Sequence, residues 1–395
     1  MARPMPLAAP VTIATGAAGS TFRSKRYSIL SVKSALVASP ARNRRHRPRG
    51  AADGAYSWGG PVAGSRPGIR ESLVHGWPAV HLTSDLLEVT VLPSKGADIY
   101  ALTDLGSGID PLFKAPWGLQ PPGSPPRAGS EGAAFLENYE GGWQELFPNT
   151  NDPASYRGKS LPFHGEVATL PWSWSVATDD FGETAVRFTV ECRLTPFRLE
   201  RTMRLPRGER RLIIDERVTN LSRDPVHFTW GHHCVLGPPL VGQDAELRIP
   251  CRTVITGAEP WEDTFRLVPG QRSSWPMALH RDVGMTDLSR IPGPEAGSHD
   301  DVFLTDLDAG WAELANPALG LGFRLDWDPA VFQWVISWQP FGGARTMPLR
   351  GAYGLGIEPW TSGGNLEAAL ADGEAVELPG RGWLETTVSA TITSG

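Results

Sequence analysis

Val186-Arg187-Phe188-Thr189-Val190-Glu191-Cys192 alternates apolar and polar side chains without a break. Successive side chains of an extended chain point to opposite faces, so this stretch reads as a strand with one buried face. Working outward, Leu87, Val89 and Val91 alternate with Glu88 and Thr90 in the same way. Leu199–Leu205, Leu212–Val218, Leu247–Cys251, Leu321–Trp327 and Trp383–Ile392 repeat the pattern less cleanly, and Val331–Trp338, apolar at nearly every residue, suits a strand covered on both faces. The best helical signal is Asn365–Ala371, two turns at most, with Asn365 as N-cap and Leu366, Ala369 and Leu370 on one face. With 44 Gly and 36 Pro between short strands, the expected fold is all-β, a large antiparallel β-sandwich. The Pro- and Gly-rich loops at Ala115–Gly132 and Pro292–Ser298 are expected at a rim or over a cleft.

The first 50 residues hold ten Arg or Lys and no Asp or Glu, which leaves a body of 27 basic and 43 acidic residues, formally −16. So acidic a body repels phosphate backbones, which argues against nucleic acid as partner and leaves neutral polyols unhindered. The leader, residues 1–50, has the Ala-, Ser- and Arg-rich composition of an organelle transit peptide; a poor secretory signal or a segment without a role are the alternatives. Residues 51–395 are expected to form a single domain. No run of about 18 apolar residues exists, so no membrane partner is expected. Cys192, Cys234 and Cys251 form no CxxC pair and no disulfide framework, and Cys192 and Cys251 fall on apolar faces of candidate strands. A reducing, cytoplasmic setting and a monomer or homodimer are expected.

Four segments carry residues suited to chemistry: Gly141–Asn149, Phe163–Glu166, Gly231–His233 and Gly356–Trp360. His232 and His233 are adjacent, and in a strand their side chains point to opposite faces, so one can reach a cleft while the other packs. The bland alternative is a pair of ordinary histidines. His164 sits between Phe163 and Gly165 in a turn or strand entry, either as a loop histidine or as an imidazole at the mouth of a sheet. Glu358, between Ile357 and Pro359, is either exposed on a strand or held in a lined pocket, where desolvation would raise its pKa toward the range of a useful base. Trp143 and Trp360 offer flat faces to a sugar ring, although most of the 15 tryptophans must be core. Asp300 and Asp301 read as a turn before a strand or as acceptors for hydroxyl groups. His227, His232 and His233, with Glu358, are a conceivable metal set, but their spacing matches no ligand motif and adjacent strand positions diverge, so no metal and no cofactor is expected. No nucleophile elbow, P-loop or GxGxxG entry to a helix is present.

Taken in order, these segments resemble the aldose 1-epimerase family, the galactose mutarotase-like proteins, over most of residues 70–392. Gly141–Gly142 with Phe147–Pro148–Asn149, then His164–Gly165, resembles the family's approach to a histidine that binds substrate; Trp143 and Gln144 fall in the same stretch. Phe228–Thr229–Trp230–Gly231–His232–His233 resembles the strand bearing the catalytic acid, and the spacing after the glycine selects His233, with His232 beside it as a substrate contact. Asp300–Asp301–Val302–Phe303 resembles a sugar-binding Asp-x-x-Phe element and matches Asp300, while Gly356–Ile357–Glu358 resembles the segment that supplies the base. The sequence departs from the pattern at Cys234, where proline is common, and lacks the arginine many members carry before the first Gly-Gly. The resemblance implies a supersandwich fold and cofactor-free interconversion of the α and β anomers of a hexose or modified hexose. Glu358 would then act as base, His233 as acid, and His164, Asp300 and Trp360 would hold the sugar. A non-catalytic carbohydrate-binding protein and a metal-dependent sugar isomerase are the competing expectations.

Overall fold

The computed structural model describes residues 68–124, 133–178 and 184–394. The expected leader and the end of the Ala115–Gly132 loop lie outside the described residues. Two large antiparallel sheets account for most of the rest. The larger has 12 strands, running Gly68–Val74, Trp77–Thr83, Leu87–Leu92, Asp98–Asp104, Trp143–Leu146, Gly231–Leu236, Glu358–Trp360, Trp334–Phe341, Ser298–Leu307, Cys251–Thr256 and Arg272–Ser274, with Leu355–Gly356 paired off Gly231–Leu236. The smaller has 8, in the order Glu246–Arg248, Trp311–Asn316, Leu321–Asp326, Trp383–Ser394, Arg211–Asn220, Phe197–Arg204, Thr184–Glu191 and Ser173–Thr178.

The alternating stretches supply the core between the sheets. Val186, Phe188 and Val190 turn inward from the smaller sheet and meet Leu87, Val89 and Val91 of the larger in one cluster, so the period of two becomes a buried face. Phe197–Arg204 buries Phe197, Leu199 and Met203, and on the same parity buries Arg201; Arg211–Asn220 buries Leu212, Ile214 and Val218, and with them Glu216. Two charged side chains therefore stand in rows that are otherwise apolar.

Some boundaries differ from the sequence reading for local reasons. Leu247–Cys251 is not one strand: Glu246–Arg248 belongs to the smaller sheet and Cys251–Thr256 to the larger. Pro250 lies between them and has no N–H to continue a ladder. The Val331–Trp338 strand begins at Trp334, because the Val331 and Phe332 amides donate back to Asp328 O at 3.1 and 2.9 Å and close a turn. Cys192 lies past its strand and is only partly buried. The helix spans Leu366–Asp372, capped by Asn365, whose side chain accepts from the Ala368 amide at 2.9 Å; Leu366 and Ala369 are buried, whereas Leu370 is exposed. Among the described residues no helix is long and apolar enough to cross a membrane.

Candidate active site

The centre of the larger sheet carries the site, on the face opposite the inter-sheet core. Residues directly opposed in an antiparallel pair share a face. His233 opposes Gln144, and Gly231 opposes Trp360, so Glu358, two residues from Trp360, falls on the face of His233. The two side chains meet there, His233 Nε2 lying 3.6 Å from Glu358 Oε1. Trp338 of the next strand opposes Asp301 of the one beyond, which extends the same face outward. Two glycines allow the approach. A Cβ on Gly231 would stand 2.4 Å from the Trp360 indole, and one on Gly356 would stand 2.5 Å from Glu358 Oε1.

His164 arrives from a loop rather than a strand. Its backbone is left-handed, with φ 60°, a conformation uncommon outside glycine. It is held there by its own amide donating to Asn151 O at 2.9 Å, by Gly165 N donating to Pro162 O at 3.0 Å, and by a bridge from Gly165 to Phe147. The ring centroid comes to 5.5 Å from His233 and 5.9 Å from Trp360. Phe135 stands edge-on to it at 4.6 Å, and Phe163 and Tyr139 complete an aromatic surround.

His233, Glu358, His164, Gln144 and Trp360 therefore come together, while Trp143, His232 and Asp300 do not join them. Trp143 and His232 have the opposite parity and sit in the inter-sheet core with no exposed surface, where Trp143 Nε1 donates to His232 Nδ1 at 3.1 Å. Asp300 turns away into a structural role. Its carboxylate accepts from the Arg266 and Leu267 amides at 2.9 and 3.0 Å and pairs with the Arg266 guanidinium at 3.3 Å. Its neighbour Asp301 takes the site face instead. One residue of register decides which of two adjacent aspartates is available.

Two aromatic residues that the sequence reading passed over complete the site. Trp261 lines the same cleft as Asp301, stands edge-on to Phe163 at 5.9 Å and leaves half its surface exposed. A shallow cleft lined by Trp261, Phe265, His299, Asp300 and Asp301, among others, opens there. Tyr139 lies against His233, ring centroids 5.1 Å apart. The Gly-Ala-Glu-Pro-Trp segment around Trp261 has the turn composition of a binding loop, which was its only signal in the sequence.

Burial dominates the electrostatics. Desolvation, reinforced by the Asp301 charge, holds Glu358 well above the usual carboxylate range, and desolvation lowers His233 to about 3 and His164 well below its ordinary value. Burial therefore favours the neutral form of both groups. Tyr139 Oη, Gln144 Oε1, His164 Nδ1 and His233 Nδ1 are buried without a hydrogen bond. Buried polar atoms normally find partners, so their convergence around the pair prepares the face for a polar ligand.

Behind the sheet, Glu145, Glu216 and His232 place one donor atom each within 4.8 Å of one another. The Trp143 N–H donates to His232 Nδ1, and His232 Nε2 lies 3.0 Å from Glu216 Oε2 without a hydrogen bond between them. Arg201 already supplies a cation to Glu145 at 3.2 Å. With the Arg201 guanidinium already beside Glu145, the set forms a buried ion network. The set His227, His232, His233 and Glu358 does not converge, since His227 pairs with Glu377 at 3.1 Å and His232 and His233 face apart.

This network makes stability depend on pH. Desolvation pushes Glu145, Glu216 and Glu140 from 4.5 up to about 7, against the opposing attraction of Arg201 and Lys95. A raised carboxyl stabilises the fold fully below its unfolded pKa, and that contribution is lost as pH rises through the folded value. Buried histidines act in the opposite direction, but only below their ordinary value of 6.5. Between pH 6.5 and 8 the carboxyls act alone, and unfolding free energy should fall by roughly 1 kcal/mol per carboxyl. Urea melts across that window check this, and Glu216→Gln should flatten the slope.

A family model described as a domain of unknown function, DUF4432, matches residues 74–389. No curated protein matches the sequence. Among solved structures, a Klebsiella pneumoniae protein named as a candidate aldose 1-epimerase superposes with a TM-score of 0.65 at 16% identity, covering 82% of this chain and 83% of its own. A galactose mutarotase-like protein from Clostridium acetobutylicum gives 0.59 at 14% identity, covering 83% and 99%. A Synechocystis protein gives 0.57 at 19% identity, covering 84% and 97%. At such identities the likeness establishes a shared fold, the galactose mutarotase-like sandwich expected from the sequence.

Proposed function

Because the chain belongs to the DUF4432 family, whose description names no activity, we propose a function from its own residues: an aldose 1-epimerase acting on a hexose or modified hexose. The observation that carries this reading is the buried His233–Glu358 pair ringed by polar atoms without partners.

In the proposed reaction the C1 hydroxyl gives its proton to the Glu358 carboxylate while His233 gives one to the ring oxygen. The C1–O5 bond breaks and C1=O1 forms. Rotation about C1–C2 and the reverse transfers close the ring on the other face. Ring opening begins with carboxylate and imidazolium and ends with neutral Glu358 and neutral His233; burial favours the neutral pair, so a proton passes from Glu358 to His233, 3.6 Å apart, before the ring opens. Each positioned proton transfer is worth about 10²–10⁴-fold. His164, Gln144 and Asp301 hold hydroxyls, and the exposed face of Trp261 takes an apolar face of the ring. The reaction balances without a cofactor.

The test is a panel of aldoses followed by one-dimensional exchange NMR with the purified protein. Accelerated α/β exchange for at least one sugar is expected. Saturable sugar binding with no acceleration would replace this reading with a carbohydrate-binding one, and activity lost on chelation and restored by metal would replace it with a metal-dependent isomerase.

A further inference from the structure

We propose that the Tyr139 hydroxyl is a third reacting group of this site, donating a hydrogen bond to the anomeric oxygen as the sugar ring opens. The inference rests on the epimerase reading above and adds a residue to it.

Packing does not require a hydroxyl at this position. The Tyr139 ring stacks on Phe135 and Phe113, at 5.6 and 6.3 Å between centroids, and meets His233 and Trp338 edge-on at 5.1 and 6.2 Å. A phenylalanine would make the same contacts. The added oxygen is buried and makes no hydrogen bond, an arrangement that costs stability and calls for an explanation. Nor can the ring readily swing away to find water. Tyr139 N donates to Leu136 O at 3.3 Å, Trp117 Nε1 donates to Tyr139 O at 3.3 Å, and Ala115 N donates to Glu140 O at 2.7 Å.

The surroundings also decide what the oxygen can do. Burial and the nearby carboxyls keep the phenol protonated, and of the charges around it Glu358 acts most strongly, ahead of Glu140 and Asp98. A protonated phenol whose ring lies 5.1 Å from that of His233 is a hydrogen-bond donor at the pair. When Glu358 removes the proton from O1, that oxygen carries negative charge until the C1=O1 bond is complete. A fixed donor in a water-poor site stabilises such charge at the moment it develops. No covalent step is added, and the phenol keeps its proton throughout.

Tyr139→Phe tests this through three readings against the parent protein: exchange rate at saturating sugar, KM, and the thermal midpoint. Removing one preorganised donor should lower kcat about 100-fold, leave KM within a few-fold, and leave the midpoint unchanged or raised, because a buried hydroxyl without a partner is gone. A rate within twofold of the parent overturns the inference while the epimerase reading stands. A midpoint lowered by several degrees overturns it as well, since the hydroxyl would then be a structural bond. A parent protein with no exchange activity on any aldose overturns the epimerase reading, and this inference falls with it.

Discussion

Replacing Arg201 with methionine is expected to cost about 3–5 kcal/mol of folding stability, the loss that follows when one partner of a buried ion pair is removed. Arg201 has no exposed surface. It joins the sheets by pairing with Glu145 at 3.2 Å, donating to Ala97 O, and lying over the Trp172 ring at 5.1 Å. Methionine keeps much of the volume and the aromatic contact, so the deficit would be electrostatic. Without the guanidinium, Glu145, Glu216 and Asp98 share the core with only Lys95, 2.6 Å from Asp98, as a fixed cation. They can escape by binding protons, so the loss should be larger at pH 8 than at pH 6. Urea melts of parent and variant at both values check the size and the pH trend. Equal stability at pH 8 would show that the carboxyls are already neutral and that the guanidinium is not their counter-charge.

Glu358→Gln is expected to lower the anomer exchange rate about 10²–10⁴-fold, the worth of one positioned proton transfer, without harming the fold. Burial favours the neutral Glu358 carboxyl, and an amide closely matches a neutral carboxyl in shape. The thermal midpoint should therefore hold or rise, and rise most at alkaline pH, where the parent is forced toward a buried carboxylate. Exchange NMR together with a melting curve separates the outcomes. An unchanged rate would remove Glu358 from the mechanism, whereas a lost rate accompanied by a collapsed midpoint would mark a structural carboxyl.

How far the site was legible in the sequence varies from residue to residue. His233 and Glu358 were singled out by their glycine spacing and by order along the chain; strand parity foretold that His232 and His233 would face apart, but not which would reach the site, and His232 was expected there as a substrate contact. The same parity held clues that went unused. Arg201 follows Phe197 and Leu199 at intervals of two, and Glu216 follows Leu212 and Ile214; a charged residue on the inward beat of an apolar row announces a buried partner. Asp301 and Tyr139 gave no comparable signal. Asp301 is distinguished from Asp300 by the pairing that sets it opposite Trp338. Tyr139 reaches His233 only because the loop from Ala115 folds back to Glu140.

What the sequence determined by itself is what depends on neighbours along the chain: strands from a period of two, a cap from Asn365, and the divergence of adjacent histidines. Alternation divides each strand into two faces but does not say which face meets the other sheet and which meets a ligand. That choice belongs to the tertiary structure. It sent Trp143 and His232 into the core, turned Asp301 rather than Asp300 toward Glu358, and closed an aromatic surround over His164 and His233. The physical reason is register: shifting an extended chain by one residue exchanges its two faces, and the packing that selects between them comes from residues far away in sequence.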